Sequence, residues 1–320
     1  MILNKKNFFL TLNNNFLFEN KPHIAVAVSG GPDSMALAYL MKEWVSVKKG
    51  KLLAILINHG IRNDSQRECL ITQTYLKELN IDSNIIKIPK IKVLKKNMNE
   101  ARSNRYVKLL NYCNQKNILH LFIAHHYDDN LETFLIRKVS GSNLEGLGAM
   151  NFNFIRNKVQ ILRPLLNFSK KQILKFNKHN KIKYITDPSN QNLKYTRVVI
   201  RNYLKNSNQI NYIKKDFENI RYNIPIYKRM LNLILHDIII KVNKRSLKIS
   251  LNKFNYNEKV IKEKIIEKIF NYFCKKNKKL RFVKIKNFIE NLEKKDFRSF
   301  NLESMIVIKD GDFLNFSLKT

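Results

Sequence analysis

The stretch Ile24-Ala25-Val26-Ala27-Val28-Ser29-Gly30-Gly31-Pro32-Asp33-Ser34-Met35-Ala36-Leu37-Ala38-Tyr39-Leu40 decides the fold of this chain. Five apolar residues read as a buried strand, the pair Gly30-Gly31 as a sharp turn, and the run from Met35 as a helix. Glycines without a Cβ let backbone N–H groups approach an anion closely, and the positive end of the following helix favours the same anion. Ser29 and Ser34 offer hydroxyl donors. Asp33 repels phosphate directly and is suited to holding Mg²⁺. No GxxxxGK[ST] pattern is present, so the loop is not a Walker P-loop. On its own it reads either as an ordinary strand-turn-helix corner or as a nucleotide site.

Outward from this loop the pattern alternates. Leu52–Ile57 reads as a second buried strand, Gln66–Leu79 as a helix, Ile85–Ile88 as a strand and Glu100–Cys113 as a helix. His120–Ala124 and Asn130–Val139 continue the series, which predicts an α/β fold with a doubly wound parallel sheet and its ligand at the carboxyl ends of the strands. His59 falls at the end of the second strand and His125-His126 at the end of a later one. Gly141, Gly146 and Gly148 mark a loop, Ser169–His179 a further helix, and Asp187-Pro188-Ser189-Asn190 a turn. Past Asn206 the pattern becomes mainly helical, with amphipathic segments at Val260–Cys274 and Val283–Leu292. The chain closes on a hairpin turning at Asp310-Gly311. Two domains are expected, 1–205 and 206–320.

The formal net charge is +35, which points to a polyanionic partner such as nucleic acid. Residues 206–320 hold 26 Lys and Arg against 12 Asp and Glu, so the basicity is spread over the chain and not confined to a tail. Lys, Asn and Ile are abundant throughout, as A/T-rich codons produce. The three cysteines, Cys69, Cys113 and Cys274, are too distant in sequence to form a CxxC pair. No run is long and apolar enough to cross a bilayer, and the amino end lacks a cleavage-site pattern, so no membrane partner and a cytoplasmic location are expected.

Ala124-His125-His126-Tyr127-Asp128-Asp129-Asn130-Leu131-Glu132-Thr133 gathers polar groups at a strand-to-helix junction. Adjacent histidines point apart, so their spacing suits zinc poorly. Acidic residues in a first helical turn also favour the helix dipole, and the cluster by itself reads equally as that. Asp129 and Glu132, three apart, share a helix face where two carboxylates can grip an ammonium group. Arg102 and Arg105 lie three apart on the preceding helix. An arginine facing such a pair makes a receptor for an amino acid, or else these charges form a surface salt-bridge ladder.

The order strand, Ser29-Gly30-Gly31-Pro32-Asp33-Ser34, helix resembles the signature of PP-loop ATP pyrophosphatases, which cleave ATP between the α- and β-phosphates. Further motifs follow in order: His59-Gly60-Ile61-Arg62, Asn99-Glu100-Ala101-Arg102 with Arg105-Tyr106, and the run from Ala124 to Thr133. Gly141-Ser142 with Gly146-Leu147, Arg163-Pro164-Leu165-Leu166, and Asp187-Pro188-Ser189-Asn190 ending in Arg201-Asn202 complete the set. Together they resemble the tRNA(Ile)-lysidine synthetase family, densely over residues 24 to about 204 and more weakly over the rest. The resemblance implies a carbon–nitrogen ligase using ATP and Mg²⁺. It adenylates the C2 oxygen of the wobble cytidine in a CAU-anticodon tRNA(Ile), then attacks C2 with the ε-amine of free L-lysine, giving lysidine, AMP and pyrophosphate.

On that resemblance, Ser29, Gly30, Gly31, Pro32, Asp33, Ser34, His59 and Arg62 bind ATP, with Asp33 on the metal and in the catalytic set. Arg105, Asp129 and Glu132 hold lysine, with Asp129 either a general base or a positioning group. Residues 1–205 form the catalytic domain and 206–320 a tRNA-recognition domain. The chain departs from the family in reading Ser140-Gly141-Ser142-Asn143 where an Arg is usual, and in carrying Asn130 in place of Gln. Monomer and homodimer both stay open. A PP-loop tRNA thiolase and a noncatalytic RNA-binding relative are the alternatives; the cytidine thiolases carry CxxC pairs that this chain lacks.

Overall fold

The computed structural model describes residues 2–58, 64–88, 98–186, 196–274 and 280–319. The chain divides into two compact units, Met1–Ile220 and Arg221–Thr320. In the first, helix α1 (Lys5–Asn15) leads into strand β1 (His23–Val28), helix α2 (Pro32–Lys48), β2 (Lys51–Asn58), α3 (Ser65–Glu78), β3 (Asp82–Lys87) and α4 (Met98–Gln115). Then come β4 (His120–Phe122), α5 (Tyr127–Val139), a short α6 (Leu144–Leu147), the hairpin β5 (Asn153–Arg156) and β6 (Val159–Leu162), α7 (Lys170–His179) and α8 (Thr196–Asn206).

The strands form one sheet in the order β3-β2-β1-β4-β6-β5. All neighbours are parallel except β5, which pairs antiparallel with β6. Strands buried on both faces suit parallel pairing, and β1 is apolar almost throughout, as the sequence predicts. Alternate residues supply two cores. Ile24, Val26, Ala54 and Phe122 pack with α1, α2 and α7, around Phe8, Trp44 and Phe168. Ala25, Ile55 and Leu121 pack with Leu109, Leu110 and Cys113 of α4 on the opposite face. Each large apolar side chain so buried contributes roughly 1.5–3 kcal/mol.

Sheet order reverses between β1 and β4, because the chain crosses from the β3 edge back past β1. The loops after β1 and β4 therefore open a crevice at the carboxyl ends, where ligands of such sheets bind.

Helix α1, the β5–β6 hairpin and α6 are not evident from the sequence pattern, and α6 stands inside the glycine-marked loop. Helix α9 (Ile210–Ile238) begins in the first unit, where Ile213 and Phe217 pack against Leu131 and Phe134 of α5. That packing carries the first unit to Ile220, past the change of pattern near Asn206.

The second unit combines helices with an antiparallel sheet of which the expected closing hairpin is a part. Its closing hairpin, β10 (Met305–Asp310) and β11 (Phe313–Leu318), belongs to a five-stranded antiparallel sheet with β7 (Ile239–Val242), β8 (Ser246–Ser250) and β9 (Ser299–Leu302). The short helix α10 (Leu251–Asn255) follows β8, and α11 (Lys259–Phe273) and α12 (Phe282–Leu292) pack on the sheet through Ile266, Phe270, Phe288 and Ile289. Among the described residues no helix is long and apolar enough to cross a membrane.

Candidate active site

The loop after β1 is held in shape by its own side chains. Gly30 takes φ +81°, and a Cβ placed there would lie 2.4 Å from Thr72 Oγ1, so glycine is required on two counts. Ser34 Oγ donates to the Gly31 carbonyl at 3.0 Å and accepts the Ser29 N–H at 3.2 Å. Pro32 occupies the first turn of α2, where no N–H is needed. Its carbonyl accepts from Asn177 Nδ2 of α7 at 2.8 Å, and the Gly30 carbonyl accepts the Ile185 N–H at 2.8 Å. The loop is thus preformed, with the first-turn N–H groups of α2 at its mouth.

The start of α5 is capped by His126, whose Nδ1 accepts the Asp129 N–H at 3.4 Å while Asp129 Oδ2 accepts the His126 N–H at 3.1 Å. The imidazole is buried among three carboxylates: its Nε2 lies 3.5 Å from Asp129 and 3.8 Å from Asp33, and its Nδ1 3.5 Å from Asp128. Burial alone would lower its pKa, but Asp128, Asp129 and Asp33 outweigh that and raise it. Burial pushes Asp128 upward in turn, and the His126 imidazole beside it together with the hydrogen bond from the Lys170 backbone N–H brings it below the ordinary value.

Helix α7 closes the third side. Ser169 and Gln172 form its capping box, the Lys170 N–H donates to Asp128 Oδ2 at 2.6 Å, and the Tyr127 N–H donates to the Phe168 carbonyl at 2.9 Å. Three helix N-termini, those of α2, α5 and α7, are tied together here, and their dipoles favour an anion. Lys170 Nζ sits 2.7 Å from both oxygens of Asp33. No sequence spacing pairs residues so far apart.

One turn into α5, Glu132 is only 2% exposed and accepts Arg201 Nε at 2.7 Å and Nη2 at 3.2 Å. Burial raises the Glu132 pKa despite this partner, while the bond to Glu132 raises that of Arg201. Arg105 lies on the exposed side of α4; the arginine that engages Glu132 is Arg201 on α8. Arg201 ends the last sequence motif, and no local spacing pairs it with Glu132. His125 Nδ1 accepts Arg163 Nε at 3.1 Å, which gives the Arg163-Pro164 motif a place in the site. Asn130, fully buried, exchanges two hydrogen bonds with the Met150 backbone, so this departure from the family has a structural use.

The structure thus brings Ser29, Gly30, Gly31, Pro32, Asp33, Ser34 and Asp129 to one crevice, with Glu132 a turn away. His59, Arg62 and the Asp187–Asn190 turn lie outside the described residues. Among the described residues no group of three or more His, Cys, Asp or Glu is set to cage a metal. Asp33 nevertheless fits Mg²⁺: it is a partly exposed carboxylate already holding a cation, and Mg²⁺ commonly takes one or two carboxylates plus phosphate oxygens. Cys69 packs on the α2 face of the sheet and Cys113 in the core on the α4 face, so these two thiols do not meet.

Residues 4–208 match the model of the PP-loop domain family, and the chain belongs to that family. A tRNA(Ile)-lysidine synthase of Wolbachia pipientis wMel is 42% identical over 200 residues, covering 61% of this chain and 46% of the relative. The tRNA(Ile)-lysidine synthase of Orientia tsutsugamushi is 38% identical over 188 residues, covering 59% and 42%. The matched segment thus spans less than half the length of these curated relatives. Among solved structures, the U34-tRNA thiolase NcsA from Methanococcus maripaludis with its [4Fe-4S] cluster superposes with a TM-score of 0.56 at 20% identity, over 68% of this chain and 80% of that one. At that identity the likeness concerns the fold alone.

Proposed function

We propose that this protein ligates free L-lysine to C2 of the wobble cytidine of a CAU-anticodon tRNA(Ile), at the expense of ATP and through an adenylated tRNA. The observation that carries the proposal is the junction of a preformed glycine loop, the Asp33 carboxylate and the acidic start of α5 in one crevice. The identity to tRNA(Ile)-lysidine synthases over 200 residues supports it, as does the match of residues 4–208, which include this junction, to the PP-loop domain family.

The chemistry follows from the groups present. Backbone N–H groups of the loop and the hydroxyls of Ser29 and Ser34 bind the triphosphate, and Asp33 holds Mg²⁺. When bound, that ion offsets the charge of the departing pyrophosphate. The cytidine C2 oxygen attacks the α-phosphorus and the α–β bridging bond breaks. The lysine ε-amine then attacks C2, the bond from C2 to the AMP oxygen breaks, and the amine gives up a proton.

Free lysine is cationic at neutral pH, so the amine must be deprotonated before attack. Asp129 stands where it can position the ammonium or take that proton. Glu132 completes the acidic face. Because Arg201 already spans it, an arriving ammonium shares that carboxylate with the guanidinium. Arg105 is assigned to the lysine carboxylate. His59 and Arg62 remain assigned to ATP, residues 1–205 to catalysis and residues 206–320 to tRNA recognition. Basic residues throughout the chain track the tRNA backbone, and affinity falls steeply with salt. An enzyme of this kind works in the cytoplasm.

The test is transfer of labelled lysine to a tRNA(Ile) transcript, with ATP, by the wild type and by Asp33→Asn. Transfer by the wild type, lost in the variant while tRNA binding persists, is expected. Equal transfer by both would remove Asp33 from the metal, and no transfer by either would remove the assignment.

A further inference from the structure

Lys170 has no part in the chemistry above, yet it makes the closest contact to the carboxylate on which that chemistry depends. Its ammonium is equidistant from both Asp33 oxygens, at 2.7 Å, the place a metal ion bound to this carboxylate would take. The pair is accessible: the side chains are 36% and 25% exposed, so a cation from solvent reaches it without opening the core.

The backbone of Lys170 is fixed. Its N–H is bound to Asp128, the Ser169–Gln172 capping box shapes the turn around it, and Asn177 ties α7 to the Pro32 carbonyl. Only the side chain is free to swing, on a flexible four-carbon stem with three donors. It stands at the joint N-termini of α2, α5 and α7, where a polyphosphate would lie.

We propose that Lys170 is a positioning residue that serves as a resident cation. It neutralises Asp33 while the site is empty, yields the carboxylate to the divalent metal that arrives with ATP, and passes its charge to the phosphates. The proposal rests on the assignment of ATP to this loop. Two consequences have opposite signs. Metal alone binds weakly, because it must evict an ammonium that has nowhere better to go. Metal with nucleotide binds well, because the evicted ammonium gains a phosphate. Lys170 thereby couples the two ligands.

The probes are Mn²⁺ alone, followed by electron paramagnetic resonance, and Mn²⁺ with α,β-methylene-ATP, followed by calorimetry, on the full chain without tRNA or lysine. In Lys170→Met, Mn²⁺ alone should bind more tightly by about fivefold, the size of a partly exposed ion pair. The Mn²⁺-bound nucleotide should bind about fivefold more weakly. Lys170→Gln serves as the second uncharged variant, and Lys170→Arg should stay close to wild type in both arms. A lysine that merely shapes the loop would weaken both arms together when removed. That result, or no change in either arm, overturns the proposal. Failure of the wild type to bind the analogue overturns the ATP assignment itself and takes the role of Lys170 with it.

Discussion

Substituting Gly30 by alanine probes the loop at its tightest point. The backbone there has φ +81°, and in the left-handed region a residue with a Cβ loses about 1–2 kcal/mol. The new Cβ would also lie 2.4 Å from Thr72 Oγ1, inside van der Waals contact, and Thr72 is buried on α3. Overpacking of this kind costs about 1–3 kcal/mol. Gly30→Ala should therefore destabilise the chain by on the order of 2–5 kcal/mol and weaken nucleotide binding with it. The two parts can be separated. The added Cβ is 3.6 Å from Thr72 Cβ, an ordinary contact, so Thr72→Ala removes the clash while leaving the backbone strain. Thr72→Ala alone costs about 1 kcal/mol, for the hydrogen bond from its hydroxyl to the Glu68 carbonyl. In urea unfolding of the four proteins of this cycle, the double variant should be more stable than the sum of the singles by about 1–3 kcal/mol. Additive effects would refute the steric argument, and an unchanged Gly30→Ala midpoint would refute the loop geometry.

Glu132→Ala leaves Arg201 without its carboxylate and should cost on the order of 2 kcal/mol, less than a fully buried pair because Arg201 is 35% exposed; Glu132→Gln should cost less, and thermal melts of both variants check this. In metal-free buffer His126, with its folded pKa raised, contributes stability that is complete below its ordinary value of 6.5 and is lost as pH rises through the folded value. Chemical denaturation above pH 6.5 should show stability declining by no more than about 1.4 kcal/mol per pH unit. The decline should flatten in His126→Asn, and a wild-type profile already flat there would contradict the carboxylate contacts. A fragment ending at Asn206 exposes Leu131 and Phe134 by removing Ile213 and Phe217, whereas one ending at Ile220 keeps them covered. The shorter fragment should melt lower and bind more of an apolar dye, and equal behaviour would deny that packing.

What was legible in the sequence was whatever depends on neighbours in the chain. Strand β1, the glycine turn and α2 follow from a continuous apolar run and from the backbone freedom of Gly30. The β–α series follows from periodicity, and the crevice from strand order. What was not legible depends on partners brought together by folding. Lys170 meets Asp33, and Arg201 meets Glu132, across separations that no local pattern encodes. His126 is not among the usual N-cap residues, so nothing local marks Asp129 as the other half of its capping box or Asp128 as the acceptor of the Lys170 N–H. Ser246–Ser250 is a strand of alternating polar and apolar residues too short to stand out in a Lys-rich setting, and it needs β11 beside it to form.

The proposed reaction cleaves ATP between its α- and β-phosphates at the loop after β1 and couples that cleavage to modification of tRNA. The direct measurement is the product balance from ATP labelled at the α- and γ-phosphates, with lysine and tRNA(Ile) or tRNA(Met). AMP and pyrophosphate are expected in equal amounts, one pair for each lysine joined to tRNA(Ile), and almost none with tRNA(Met). ADP and inorganic phosphate, or pyrophosphate release indifferent to which tRNA is present, would contradict it.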